Sequence, residues 1–101
     1  MNTATATPKH NKKGPTAYPN PATGNTVYLE TGFDSTTDMT ASIFTIAFRK
    51  VQSTAFTQVP SGSSITLDLT DNNGNRLANG IYYVVVEAQG ERFTTKLLIL
   101  R

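Results

Sequence analysis

The closing stretch, LANGIYYVVVEAQGERFTTKLLILR at residues 77–101, constrains this chain most. Two apolar runs flank Gln89-Gly90, and the second continues to the last residue but one. Val, Ile, Tyr and Leu on both sides of a short polar turn predict a β-hairpin, with Gly supplying a positive φ. The charges set its register. With Gln89-Gly90 as the loop, Ala88 faces Glu91 and Glu87 faces Arg92, so opposite charges meet across the ladder. Val86 then meets Phe93, Val84 meets Thr95 and Tyr82 meets Leu97. This set predicts the core face, with the Tyr82 and Phe93 rings in one interior. The other face pairs Val85 with Thr94, Tyr83 with Lys96 and Ile81 with Leu98. A one-residue slip would lose the Glu87–Arg92 pair and mix the faces.

The rest of the chain reads as short strands with turn signals every eight to twelve residues. AYPNP at 17–21 is an edge strand or an extended lead-in, because two prolines cannot both donate to a central ladder. TVYLETGF alternates, with Val27, Leu29 and Phe33 on one side. TASIFTIAFRKV at 40–51 predicts a long strand, bent near Phe48 to Lys50. QSTAFTQV follows as a weaker strand, PSGS punctuates, and SITLDL alternates again. Asn-Gly at 73–74 and at 79–80 marks turns. No segment keeps a helical period. Six or seven strands in this pattern predict an all-β fold, an antiparallel β-sandwich of immunoglobulin-like type. Residues 1–16, with their Thr, Pro and Lys, read as a linker, and 17–101 as the module.

Of 101 residues 16% are charged, and the formal charge is +2. Lys9, Lys12 and Lys13 carry that excess. Without them six basic residues face seven acidic ones, so the module offers no basic surface of the kind nucleic acids require. No apolar run approaches 18 residues, and no membrane span is expected. MNTATATPKHNKKGPT has no apolar stretch and is not a signal peptide. Cysteine is absent, which removes disulfides, thiolate metal sites and a thiol nucleophile.

Catalytic groups are scarce. His10 is the only histidine and lies in the linker, so a triad with a fixed imidazole is not expected. No nucleophile elbow, phosphate loop or dinucleotide fingerprint occurs. Asp68, Asp71, Asn73 and Asn75 offer oxygens of the kind calcium takes. Their spacing is not that of an EF-hand, and no terminal Glu follows. The preferred reading is a turn whose acidic side chains cap backbone N–H groups. No cofactor is expected. A sugar would need exposed aromatic platforms. There is no Trp, and Phe33, Phe44, Tyr82 and Phe93 read as core, leaving Tyr18, Tyr28 and Tyr83.

Three stretches resemble a known family: YPNP at 18–21, IFTIAFRKV at 43–51 and LDLTDNNGNRLANGIYYVVVEAQG at 67–90. In order and spacing they resemble the FlgD-like immunoglobulin-like domain, named for the flagellar hook-capping protein. They are similar, by pattern, to the C-terminal sorting domain of the type IX secretion system as well. The likeness covers about residues 17–101. Leu67 stands where that family usually has Trp, and Leu69 where a Gly follows. Phe48 stands where it usually has a turn Gly, so the bend there is expected to form without a free positive φ. Asp68, Asp71, Gly74, Gly80 and Tyr82 keep the pattern. The DNNGNRLANG stretch favours the FlgD-like family over the sorting one.

The resemblance implies a non-catalytic, C-terminal accessory module of a larger secreted or cell-surface bacterial protein. Its partner would be the preceding domain or a secretion or surface component. A type IX sorting or anchoring signal is the alternative, and carbohydrate binding a second one. Ile81, Tyr83, Val85, Leu98 and Leu100 form the predicted docking surface. The competing expectation is that a loop or the lead-in strand covers them, or that the fold simply tolerates them.

Overall fold

The computed structural model of the chain describes residues 15–33 and 35–101. Expectations for residues 1–14, the bulk of the linker with His10 and its three lysines, lie outside the described residues. Among the described residues seven strands form two antiparallel sheets packed face to face. In chain order they are β1 (Thr16–Tyr18), β2 (Thr26–Glu30), β3 (Thr37–Thr45), β4 (Lys50–Val59), β5 (Ser64–Asp68), β6 (Gly80–Ala88) and β7 (Glu91–Ile99). The smaller sheet runs β1-β2-β5 and the larger runs β4-β3-β6-β7. This is the predicted sandwich.

Alternation decides which side chains meet between the sheets. In β2 and β5 every second residue is buried, giving Val27, Leu29, Ile65 and Leu67. The larger sheet answers with Met39, Ala41, Ile43, Tyr82, Val84, Val86, Leu97 and Ile99. Each fully buried Leu, Ile or Val contributes about 1.5–3 kcal/mol relative to exposure. Phe33 and Phe93 close one end of this core edge-to-face, with ring centroids 5.6 Å apart at 68°. At the start of β6 the Tyr82 hydroxyl donates to the Ala78 carbonyl at 2.7 Å. A tyrosine that reaches back to the backbone just upstream is a recurrent corner of this fold. Buried Gln52 ties the sheets together from β4: its Nε2 donates to the carbonyls of Asp68, at 2.7 Å, and of Thr70.

The closing hairpin has the predicted register at every pair, from Ile81 opposite Leu98 to Ala88 opposite Glu91. Gln89 and Gly90 both take positive φ, 55° and 76°, which matches the twist of the flanking strands.

Two expectations for 40–51 are corrected. The stretch is not one bent strand. β3 ends at Thr45, and a tight turn over 46–49 reverses the chain into β4. Thr45 makes that turn possible. Its carbonyl accepts from Phe48 N at 2.8 Å, and its Oγ1 accepts from Ala47 N and Arg49 N at 3.2 Å each. Phe44 is not in the core either. It pairs with Tyr83 on the outer side of the larger sheet, one register step from buried Ile43. Strict period-two alternation forces that outcome once Ile43 points inward.

Candidate functional site

Two features of the larger sheet stand out: the way its last strand is held, and what lies on its outer face.

The C-terminal part of the free edge of β7 is paired by the Tyr-Pro-Asn-Pro lead-in and Ala22. After β1 the chain crosses from the smaller sheet to the larger one, and Ala22 bridges Ile99 in parallel. The Asn20 side chain imitates a strand. Its Nδ2 donates to the Lys96 carbonyl at 3.0 Å, and its Oδ1 accepts from Leu98 N at 3.1 Å. Ala22 continues the ladder, donating to Leu98 O at 2.7 Å and accepting from Leu100 N at 2.8 Å. Asn79 repeats the device beyond β7, holding both the N–H and the carbonyl of Arg101. Arg101 Nη2 donates to the Leu77 carbonyl at 2.7 Å. An open strand edge is a template for unwanted pairing, and from Lys96 onward this one is occupied from within the chain.

The outer face carries an aromatic row. Register places Lys50, Phe44, Tyr83 and Lys96 side by side across all four strands. Lys50 Nζ stands 5.9 Å from the centroid of the Phe44 ring, within cation–π reach. The next row holds Ser53, Ser42, Val85 and Thr94, and the next Ala55, Thr40, Glu87 and Arg92. Arg92 Nε lies 3.5 Å from Glu87 Oε2, with both side chains more than half exposed; such a pair adds little stability.

Phe48 folds onto this face from the 46–49 turn. Its ring stacks on Tyr83 with centroids 5.4 Å apart and planes within 5°. Phe48 is 71% exposed, and its φ is 63°. The bend therefore does use a positive φ, and a bulky residue adopts it, contrary to expectation. A side chain with a Cβ in that region costs about 1–2 kcal/mol. The turn bears this cost while leaving the ring largely in water. Strain of this kind clusters at sites of interaction.

The five residues predicted as a docking surface divide. Ile81 and Leu100 are exposed, at 45% and 56%. Tyr83 and Leu98 are half-buried, and Val85 is 8% exposed. Phe44, Phe48, Val85, Arg92 and Thr94 line a cavity of about 120 Å³. So part of the apolar face is covered by the β3–β4 turn, and the surface that remains is the turn itself together with Ile81 and Leu100. The 46–49 turn was invisible as a site in the sequence. The signal that could have found it is Phe48 standing where the resembled pattern has Gly.

On the opposite sheet the Tyr18 and Tyr28 rings pair at 5.7 Å with a 42° tilt. Tyr18 Oη lies 3.4 Å from Ser64 Oγ. Glu30 and Asp68 are the exposed charges of that face. At 71–75 the Asp71 Oδ1 accepts from Asn73 N and Asn75 N at 2.9 Å each, and Gly74 takes φ 85°. The Asp71 carboxylate thus caps its own turn. Among the described residues no three His, Cys, Asp or Glu side chains converge as metal ligands. Nor is any helix there long and apolar enough to cross a membrane.

The family model of the secretion system C-terminal sorting domain matches residues 16–100. The chain belongs to that family. This sorting domain thus falls into the second of the two families its sequence resembles, and the match places it on a secreted or cell-surface bacterial protein. No curated protein matches it significantly. Two solved structures resemble the sorting domain. One is PorZ, an essential bacterial surface component of the type-IX secretion system of Porphyromonas gingivalis. It superposes with a TM-score of 0.64 at 20% identity over 88% of this chain. The other is dimeric latent PorU from the same organism, with a TM-score of 0.60 at 21% identity over 85% of this chain. The matched regions are 12% and 9% of those chains, so the sorting domain spans about a tenth of each. At such identities the likeness shows a shared fold.

Proposed function

We propose that this module is the sorting signal of a larger exported protein, presented as a folded domain to the type IX secretion machinery. The observation that carries the reading is the extent of the family match, residues 16–100, which takes in all seven strands. A signal that spans a whole sandwich is suited to recognition by surface shape and charge rather than as an unfolded tag. The module is non-catalytic in this reading, in keeping with its family. Its partner is a component of the secretion or surface apparatus, contacted on the outer side of the β6–β7 hairpin through exposed Ile81 and Leu100 and half-buried Tyr83 and Leu98, while Val85 is buried. Sorting is favoured over the accessory role of packing against or displaying a neighbouring domain, because the matched family is defined by sorting. The tilt between Tyr18 and Tyr28 gives a sugar ring no flat platform, so carbohydrate binding has less support.

The deciding experiment fuses the chain behind a reporter in a type IX-competent host. The reporter is expected outside the cell or on its surface. A folded fusion that stays in the periplasm overturns the proposal.

A further inference from the structure

We propose that the β3–β4 turn is the specificity element of this docking face, and that it takes an acidic protein surface bearing one apolar side chain. The inference rests on the sorting reading and adds residues to it: Phe48 as the anchor, with Lys50 and Lys96 as the flanking charges.

Three observations converge on the turn. Phe48 is held at φ 63° with 71% of its surface exposed. A turn-forming Gly would satisfy the same backbone more easily, so what Phe48 adds is its ring. That ring is fixed by parallel stacking on Tyr83, and a pre-ordered aromatic gives contact area at little entropic cost on binding. Beside it lies the cavity of about 120 Å³ lined by Phe44, Phe48, Val85, Arg92 and Thr94. A space of that size admits a single side chain rather than a sugar chain or a helix.

Charge identifies the partner. Lys50 and Lys96 end the aromatic row, Arg49 is exposed in the turn, and Arg92 lines the cavity. Among the described residues Glu87 is already beside Arg92, and Asp38, exposed at the far end of β3, accepts from Gln58 N at 2.8 Å. A cationic rim around an aromatic centre selects carboxylates around an apolar knob. The chain's own first fifteen residues do not fit, since Lys9, Lys12 and Lys13 share the sign of the rim. The exposed outer face of the smaller sheet carries Glu30 and Asp68, yet at its centre the Tyr18 and Tyr28 rings lean against each other at a 42° tilt. It offers no knob, so a second copy of this chain is a poor match as well.

Phe48→Gly is the decisive variant. It deletes the ring and installs the residue that best tolerates φ 63°, so the fold persists. Lys50→Glu with Lys96→Glu reverses the rim, and Glu30→Lys on the opposite sheet serves as control. Each is placed in the reporter fusion, and each purified module is melted in parallel. Phe48→Gly and the double reversal are expected to lower export about tenfold or more, with melting temperatures near that of the parent, while Glu30→Lys exports normally. Normal export by both Phe48→Gly and the double reversal overturns the assignment. Retention of the parent fusion in the periplasm rejects the sorting reading, and this inference falls with it. Affinity electrophoresis in polygalacturonate adds a further check. Retardation that Phe48→Gly abolishes would replace the protein partner with an anionic sugar. A concentration-dependent dimer that the same change dissolves would replace it with a second copy.

Discussion

The two faces of the β6–β7 hairpin are almost equally apolar in sequence, yet they have different fates. Inward, Tyr82, Val84, Val86, Leu97 and Ile99 are sealed between the sheets. Outward, Ile81, Tyr83, Val85 and Leu98 range from buried to half-exposed, and among the described residues the Phe48 ring of the β3–β4 turn stacks on Tyr83. Apolar content therefore says little about which side of a strand holds the fold together. What separates the faces is the company across the ladder. The inner residues meet other apolar groups from the second sheet. The outer ones are framed by Lys50, Lys96 and the Glu87–Arg92 pair, which keep that side in water.

Three substitutions would sharpen or break this contrast. Leu97→Ala should have the largest effect, about 2–5 kcal/mol of lost stability in a urea titration, because its site is fully enclosed and leaves a cavity. A loss below about 1 kcal/mol would mean the inner face can collapse and is less tightly packed than described. Tyr82→Phe is next. It keeps the ring and removes only the bond to the Ala78 carbonyl, for an expected loss of about 1 kcal/mol. Ile81→Ser should be smallest, within about 0.5 kcal/mol in the same titration, since nearly half of Ile81 is exposed. A loss as large as that of Leu97→Ala would show the outer face to be core after all.

Much of the fold was legible because local signals agreed with one another. In the closing hairpin the Gln-Gly turn, the alternation and the Glu87–Arg92 pair all specify one register, and that register is the one found. The Asn73-Gly74 turn was legible for the same reason, with Asp71 as its cap. Around Phe48 the signals conflicted. Residues 43–48 read as an uninterrupted β-prone run, with no Gly, Pro, Asn or Asp to mark a reversal. The turn is organised instead by the Thr45 hydroxyl and by a left-handed Phe. Reading through it displaced Phe44 into the core and concealed the aromatic row. The choice between the two resembling families turned on the DNNGNRLANG stretch. That stretch encodes a self-capped turn, and turn chemistry of this kind is common to many sandwiches, so it distinguished them poorly.

The lead-in seam has a mechanical consequence. Residues 20–22 lie alongside the final strand in parallel. A load drawn in through the beginning of the module and out through its far end therefore pulls these neighbours past each other lengthwise. The four contacts made by Asn20 and Ala22 must then yield together instead of peeling apart in sequence. A seam stitched in this way is expected to resist stretching from the module's ends more than one that opens a bond at a time.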